Sequence, residues 1–155
     1  MYKRQILPVA ANDDGLAVIM GHEIAHAVAR HGAERMAQQR LQQLGEVALS
    51  MSTSEMDMEK RRMVMGAFGL GSQFGIMLPF SRKHESEADY MGLIYVARAC
   101  FNPEEAPKLW ERMAEASAGR APAEFMSTHP NPDTRIEQFN GWMEMARQER
   151  AKHCQ

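Results

Sequence analysis

The stretch "GHEIAH", residues 21 to 26, limits what this chain can fold into more than any other. His22 and His26 stand four residues apart, and Glu23 follows the first. On an α-helix that spacing turns two side chains by about 40° around the axis, so both imidazoles leave one face, one turn apart. The flanking residues support a helix. Leu16, Ile19, Met20, Glu23, Ala27 and Arg30 fall in helical steps, as do Ile24 and Val28. Asn12, Asp13 and Asp14 form a cap signal ahead of them. The pattern predicts a helix over 13–31, with Gly32 as its stop or a kink.

The rest of the chain reads the same way. Residues 33–51 carry Met36, Leu41, Leu44, Val47 and Met51 along one apolar side. "STSEMDMEKRRMVM" restarts with a Ser/Thr cap and an acidic first turn. Pro79 is expected to interrupt, and Ser81 to cap a new helix over 81–100. Asn102 and Pro103 open another, and Asn131 with Pro132 starts the last. Aromatics make up 7% of the residues and Val–Ile–Thr alternation is scarce, which argues against a β-rich domain. With 155 residues, the expectation is a single, mainly α domain.

Net charge is −2, which leaves no overall electrostatic footprint for nucleic acid or an anionic membrane. Residues 63–80, "MVMGAFGLGSQFGIMLPF", are uncharged for 18 positions. Four glycines, Ser72, Gln73 and Pro79 favour a buried or partly loop-like segment there over a bilayer span. "MYKRQILPVAANDDG" has no apolar run of the signal-peptide kind. Cys100 and Cys154 lie far apart and outside any CxxC pattern, which excludes a zinc site built on thiolates. Two free or buried thiols are expected ahead of a disulfide, since spacing alone carries no proximity.

The histidine spacing makes chemical sense. Two imidazoles one turn apart can reach one Zn²⁺ at about 2.0–2.1 Å. Glu23, offset by about 100° from His22, is placed to meet a water on the metal. Zinc lowers the pKa of such water to about 7, and a carboxylate can then take its proton. Catalytic zinc usually has a third protein ligand. His31, five residues beyond His26, faces away, and Ala29 and Gly32 break the longer HExxHxxGxxH pattern. His31 is expected at a helix end, suited to the C-terminal dipole. In "SRKHESEAD", Glu85 and Asp89 share a helix face while Glu87 points to the opposite side. One carboxylate could bind zinc, and the other could accept the free ring N–H of a ligand histidine.

"GHEIAH", "SRKHESEAD" and "STHPNPDTR", in that order, resemble the motif set of the M48 zinc metallopeptidases. That family includes HtpX-like proteases, CAAX prenyl proteases and quality-control members of periplasm and mitochondria. The resemblance runs from about Leu7 to Trp142 and is nearest in flavour to the short periplasmic bacterial members. It implies a zincin-like helical domain in which His22, His26 and Glu85 bind one zinc ion. Glu23 is then the catalytic base, and Asp89 the partner of a ligand histidine. The loop at 120–132 would cover the site. His129 would donate to the oxyanion or occupy the open zinc position, and Arg135 would bind substrate or stabilise developing charge.

The implied function is a zinc-dependent endopeptidase acting on unfolded or misassembled proteins. No nucleic-acid partner is expected. A periplasmic or membrane-associated place in the cell envelope is implied for the full-length protein. The edge strand that family members carry before the HExxH helix is largely absent, because "MYKRQ" does not look like it. Residues 1–12 therefore read as the remnant of a longer chain. Two other classes stay open: a zinc-binding helical module without proteolytic activity, and a metal-free helical structural protein.

Overall fold

The computed structural model describes residues 6–117 and 132–154. Among them every regular element is helical. They divide into two compact units: residues 1–29 with 85–155, and residues 30–84.

The first unit starts with α1 (Leu7–Ala10) and α2 (Asp13–Val28). Asn12 caps α2 as expected, its Oδ1 accepting from the Gly15 amide at 2.8 Å. The helix ends at Val28 and not at 31, because Arg30 takes a left-handed φ of 59° that breaks the ladder. The unit resumes at Glu85 within α5 (Leu78–Arg98), then adds α6 (Glu105–Ser117) and α7 (Pro132–His153). Asn102 Oδ1 accepts from the Glu104 amide at 3.1 Å in the turn ahead of α6, which starts at Glu105 and not at Pro103.

Val18 and Ile19 of α2, Leu93 and Val96 of α5, Leu109, Trp110 and Met113 of α6, and Phe139 of α7 form the core. Two glycines let α2 and α5 meet backbone to backbone. A Cβ on Gly21 would come within 2.9 Å of the Gly92 carbonyl oxygen, and one on Gly92 within 2.9 Å of the His22 nitrogen. Cys100 and Cys154 are disulfide-bonded, with Cα atoms 5.5 Å apart, against the expectation of free thiols. The bridge joins the end of α7 to the turn after α5, a proximity that only the folded chain creates.

The second unit is built from α3 (His31–Ser52), α4 (Met58–Ser72), a π-helical segment (Gln73–Met77) and the first turns of α5. Asp57, and not the Ser/Thr cluster before it, caps α4, its Oδ1 accepting from the Lys60 amide at 3.0 Å. Gly45 of α3 lies against the Phe68 ring of α4, and Arg61 donates to Ser50 Oγ at 2.7 Å.

Three expectations fail here. Pro79 does not interrupt: the π segment ahead of it widens the turn, so the missing N–H and the ring are absorbed near the start of α5. Ser81 lies inside α5 and caps nothing. Residues 63–80 are neither buried nor loop-like but helical and largely exposed, Leu70 by 63% and Phe74 by 64%. The apolar side of α3 is exposed as well.

Candidate metal centre

α2 and the part of α5 from Glu85 onward present the site, within the first unit. His22 and His26 leave the same face of α2, as their spacing requires, and their Nε2 atoms lie 3.0 Å apart. Glu85, near the start of the buried stretch of α5, brings Oε2 to 3.4 Å from His22 Nε2 and Oε1 to 3.4 Å from His26 Nε2. One turn on, Asp89 is 2% exposed, and its Oδ1 lies 2.9 Å from His22 Nδ1. The contact of Gly21 with Gly92 helps set this separation, since Gly21 adjoins His22 and Gly92 lies three residues beyond Asp89.

The residues fit a divalent cation. His22 Nδ1–H donates to Asp89, which fixes the tautomer and leaves the Nε2 lone pair aimed at His26 and Glu85. Two imidazole nitrogens and a carboxylate, with ligand atoms all within 4.8 Å of one another, form a donor set that zinc takes. Without a cation, two such nitrogens 3.0 Å apart need a proton between them. Burial disfavours the charged His22 ring, but hydrogen bonds to Asp89 and Glu85 outweigh it and hold its pKa above the ordinary value.

Arg135, from the first turn of α7, closes the far side of this network. Its guanidinium forks onto both oxygens of Asp89, reaches Glu85 Oε2 at 3.3 Å, and sits 3.6 Å above the Trp110 ring. It is 3% exposed, with its guanidinium on the two carboxylates. Glu23 is exposed on α2 beside His22. His129 and the loop at 120–132, up to residue 131, lie outside the described residues.

His31 is not the end of α2. It opens α3, where it is buried and stacks on His84 with centroids 4.2 Å apart, and His84 meets Glu34 at 2.8 Å. The left-handed Arg30 is what moves His31 onto a new helix. Sequence reasoning also missed Gly21, Gly92 and Trp110. The glycines carried a readable signal, since isolated glycines inside helical patterns often have a packing reason. Trp110 carried none.

Comparison with known proteins gives a consistent set of likenesses. The model of Peptidase family M48 matches residues 2–143. The mitochondrial metalloendopeptidase OMA1 of Schizosaccharomyces pombe is 42% identical over 147 residues, covering 94% of this chain and 41% of that protein. Its namesake in Saccharomyces cerevisiae is 38% identical, covering 91% of this chain and 40% of that protein. The beta-barrel assembly-enhancing protease of Escherichia coli K12 is 31% identical over 133 residues, 81% of this chain and 26% of that protein. The chain therefore spans well under half the length of these relatives. No solved structure matches it.

Proposed function

The chain belongs to Peptidase family M48, and from that premise we propose that it is a zinc-dependent endopeptidase that hydrolyses unfolded or misassembled proteins. The observation that carries this reading is the convergence of His22, His26 and Glu85, with Glu23 next to His22 on α2. Those three side chains would hold the ion. When bound, zinc supplies Lewis-acid chemistry, polarising a carbonyl and acidifying water. Glu23, exposed beside His22, takes the proton from the attacking water and passes it to the leaving amine. Asp89 keeps His22 in the tautomer with Nε2 free, and Arg135 positions both carboxylates. His129 is assigned to the same centre, and His129→Ala is expected to change activity, zinc affinity or both.

The substrate class rests on the relatives, whose names carry proteolysis and β-barrel assembly. An envelope or other oxidising compartment fits the Cys100–Cys154 disulfide. The test is cleavage of an unfolded protein by zinc-loaded wild type and Glu23→Gln, side by side. Wild type should cut, while the variant keeps its zinc and loses about 10²–10⁴-fold in rate. Equal rates would remove Glu23 from the mechanism. Zinc bound in both with cleavage in neither would favour a zinc-binding module that needs the rest of the longer protein, a reading favoured by the chain's coverage of 41% of one relative.

A further inference from the structure

Arg135 spends its polar contacts along one edge of the metal centre. Nε and Nη2 donate to the two oxygens of Asp89, and Nη1 reaches Glu85 Oε2 at 3.3 Å. Nη2 also lies 3.1 Å from His22 Nδ1. All five N–H donors lie in the guanidinium plane, so its two flat faces neither give nor take hydrogen bonds. One face rests on the Trp110 ring, with Cζ 3.6 Å from the centroid. Both side chains are buried. Trp110 belongs to α6, Arg135 to α7 and the carboxylates to α5, so three helices of the first unit meet at one cation.

The position of that cation matters to a metal. Glu85 Oε2, which Arg135 touches, is the same atom that lies 3.4 Å from His22 Nε2. A guanidinium that slid towards Glu85 would occupy an oxygen the ion needs and set a positive charge against it. One that drew away would leave two buried carboxylates repelling each other and free to turn. Metal affinity therefore depends on where between Asp89 and Glu85 the guanidinium stops. It stops on the Asp89 side, where its contacts are shorter than the 3.3 Å to Glu85. In-plane hydrogen bonds do not fix this position alone, because Glu85 and Asp89 offer it the same kind of acceptor. The indole face does discriminate. Its quadrupole attracts a cation centred above the ring, and burial of both groups strengthens the attraction. An aliphatic side chain would cover the guanidinium without centring it, and a third carboxylate would compete with Asp89.

We propose that Trp110 is a positioning residue of the metal centre: its indole holds the Arg135 guanidinium on Asp89 and so keeps Glu85 available to the ion. The inference rests on the reading of His22, His26 and Glu85 as a zinc site, and it adds a residue that acts there through Arg135.

The experiment measures zinc affinity by competition with a chelator, beside urea unfolding of the metal-free chain. Trp110→Phe keeps an aromatic face and Trp110→Leu removes it, while both vacate part of the same packed space. The two should lose similar stability without metal. Zinc affinity should stay within about threefold of wild type for phenylalanine and fall about tenfold for leucine. Fluorination of the ring tests the same point without depending on either variant's fold. In a Trp142→Phe background Trp110 is the one remaining tryptophan. Biosynthetic replacement by singly and then multiply fluorinated tryptophan should weaken zinc binding stepwise, as electron density is withdrawn from the ring face. A purely packing role gives no such trend. Equal losses for phenylalanine and leucine, or a flat fluorination series, would overturn the proposal and leave Trp110 a core residue. Wild type that takes up no zinc would overturn it together with the reading of the metal centre, a result distinct from failure of the Trp110 role alone.

Discussion

Asp89 is the residue on which the metal centre turns. It is almost fully buried, accepts the hydrogen bond of His22 Nδ1–H, and is paired with Arg135. Asparagine keeps its shape but not its charge, so it would hold the imidazole loosely and lower its basicity. Asp89→Asn is expected to weaken zinc binding by about 10–100-fold, read by competition with a chelator. An unchanged affinity would make Asp89 a packing residue only. Arg135→Met goes further, leaving two buried carboxylates without their counter-charge. Breaking a buried pair in this way usually costs about 3–5 kcal/mol, and urea unfolding of the metal-free chain should read a loss of that order. A loss below about 1 kcal/mol would place the guanidinium outside the stabilising network. His22, His26, Glu85 and Asp89 were legible because each pair is four residues apart on one helix, a local rule. Arg135 was named from the motif, but its partners were not legible. Its contacts with Asp89 and Trp110 join α7 to α5 and α6, and no spacing in the sequence encodes them.

The pairing of α2 with α5 depends on two absent side chains. Alanine normally improves a helix over glycine by about 1 kcal/mol. At Gly92 the sign should reverse, since its Cβ would meet the His22 nitrogen at 2.9 Å and the Gly21 carbon at 3.0 Å, both backbone atoms that cannot rotate away. Gly92→Ala should therefore lower the melting temperature and weaken zinc binding together, because the two ligand-bearing helices are forced apart. Gly141→Ala is the matched control in α7, where an added Cβ meets nothing within 4 Å, and it should raise stability by up to about 1 kcal/mol. If both variants gain stability, the close approach is not what sets the site. Helix existence was legible from periodicity in α2, α3 and α7, whereas residues 63–80 and the breaks were not. Gly32 looked like a stop, yet the chain breaks two residues earlier at Arg30, whose left-handed φ no local signal announced. Pro79 looked like a break, yet a π turn absorbs it, which depends on the backbone of the preceding five residues.

At the scale of the whole molecule, pattern reads faces but not what covers them. The stripe from Met36 to Met51 is helical and exposed, because periodicity locates an apolar face without naming its partner. The disulfide was illegible for a related reason. Cys100 and Cys154 are separated by 54 residues, and only the return of α7 along the core brings their Cα atoms within 5.5 Å. That separation also sets what the bridge should contribute. In the chain-entropy account, closing a loop of this length restricts the unfolded state by about 4 kcal/mol, between the values for shorter and longer loops. Reduction, or Cys100→Ser with Cys154→Ser, should thus lower the urea midpoint by a corresponding amount while the helical signal at zero denaturant is retained. Retention is expected because Phe139, Met143 and Ala146 bury α7 without help from the sulfurs. A midpoint that does not move on reduction would mean that the unfolded chain keeps these two ends together anyway. Loss of helicity at zero denaturant would mean instead that α7 depends on the bridge and that its apolar contacts alone are too few to dock it.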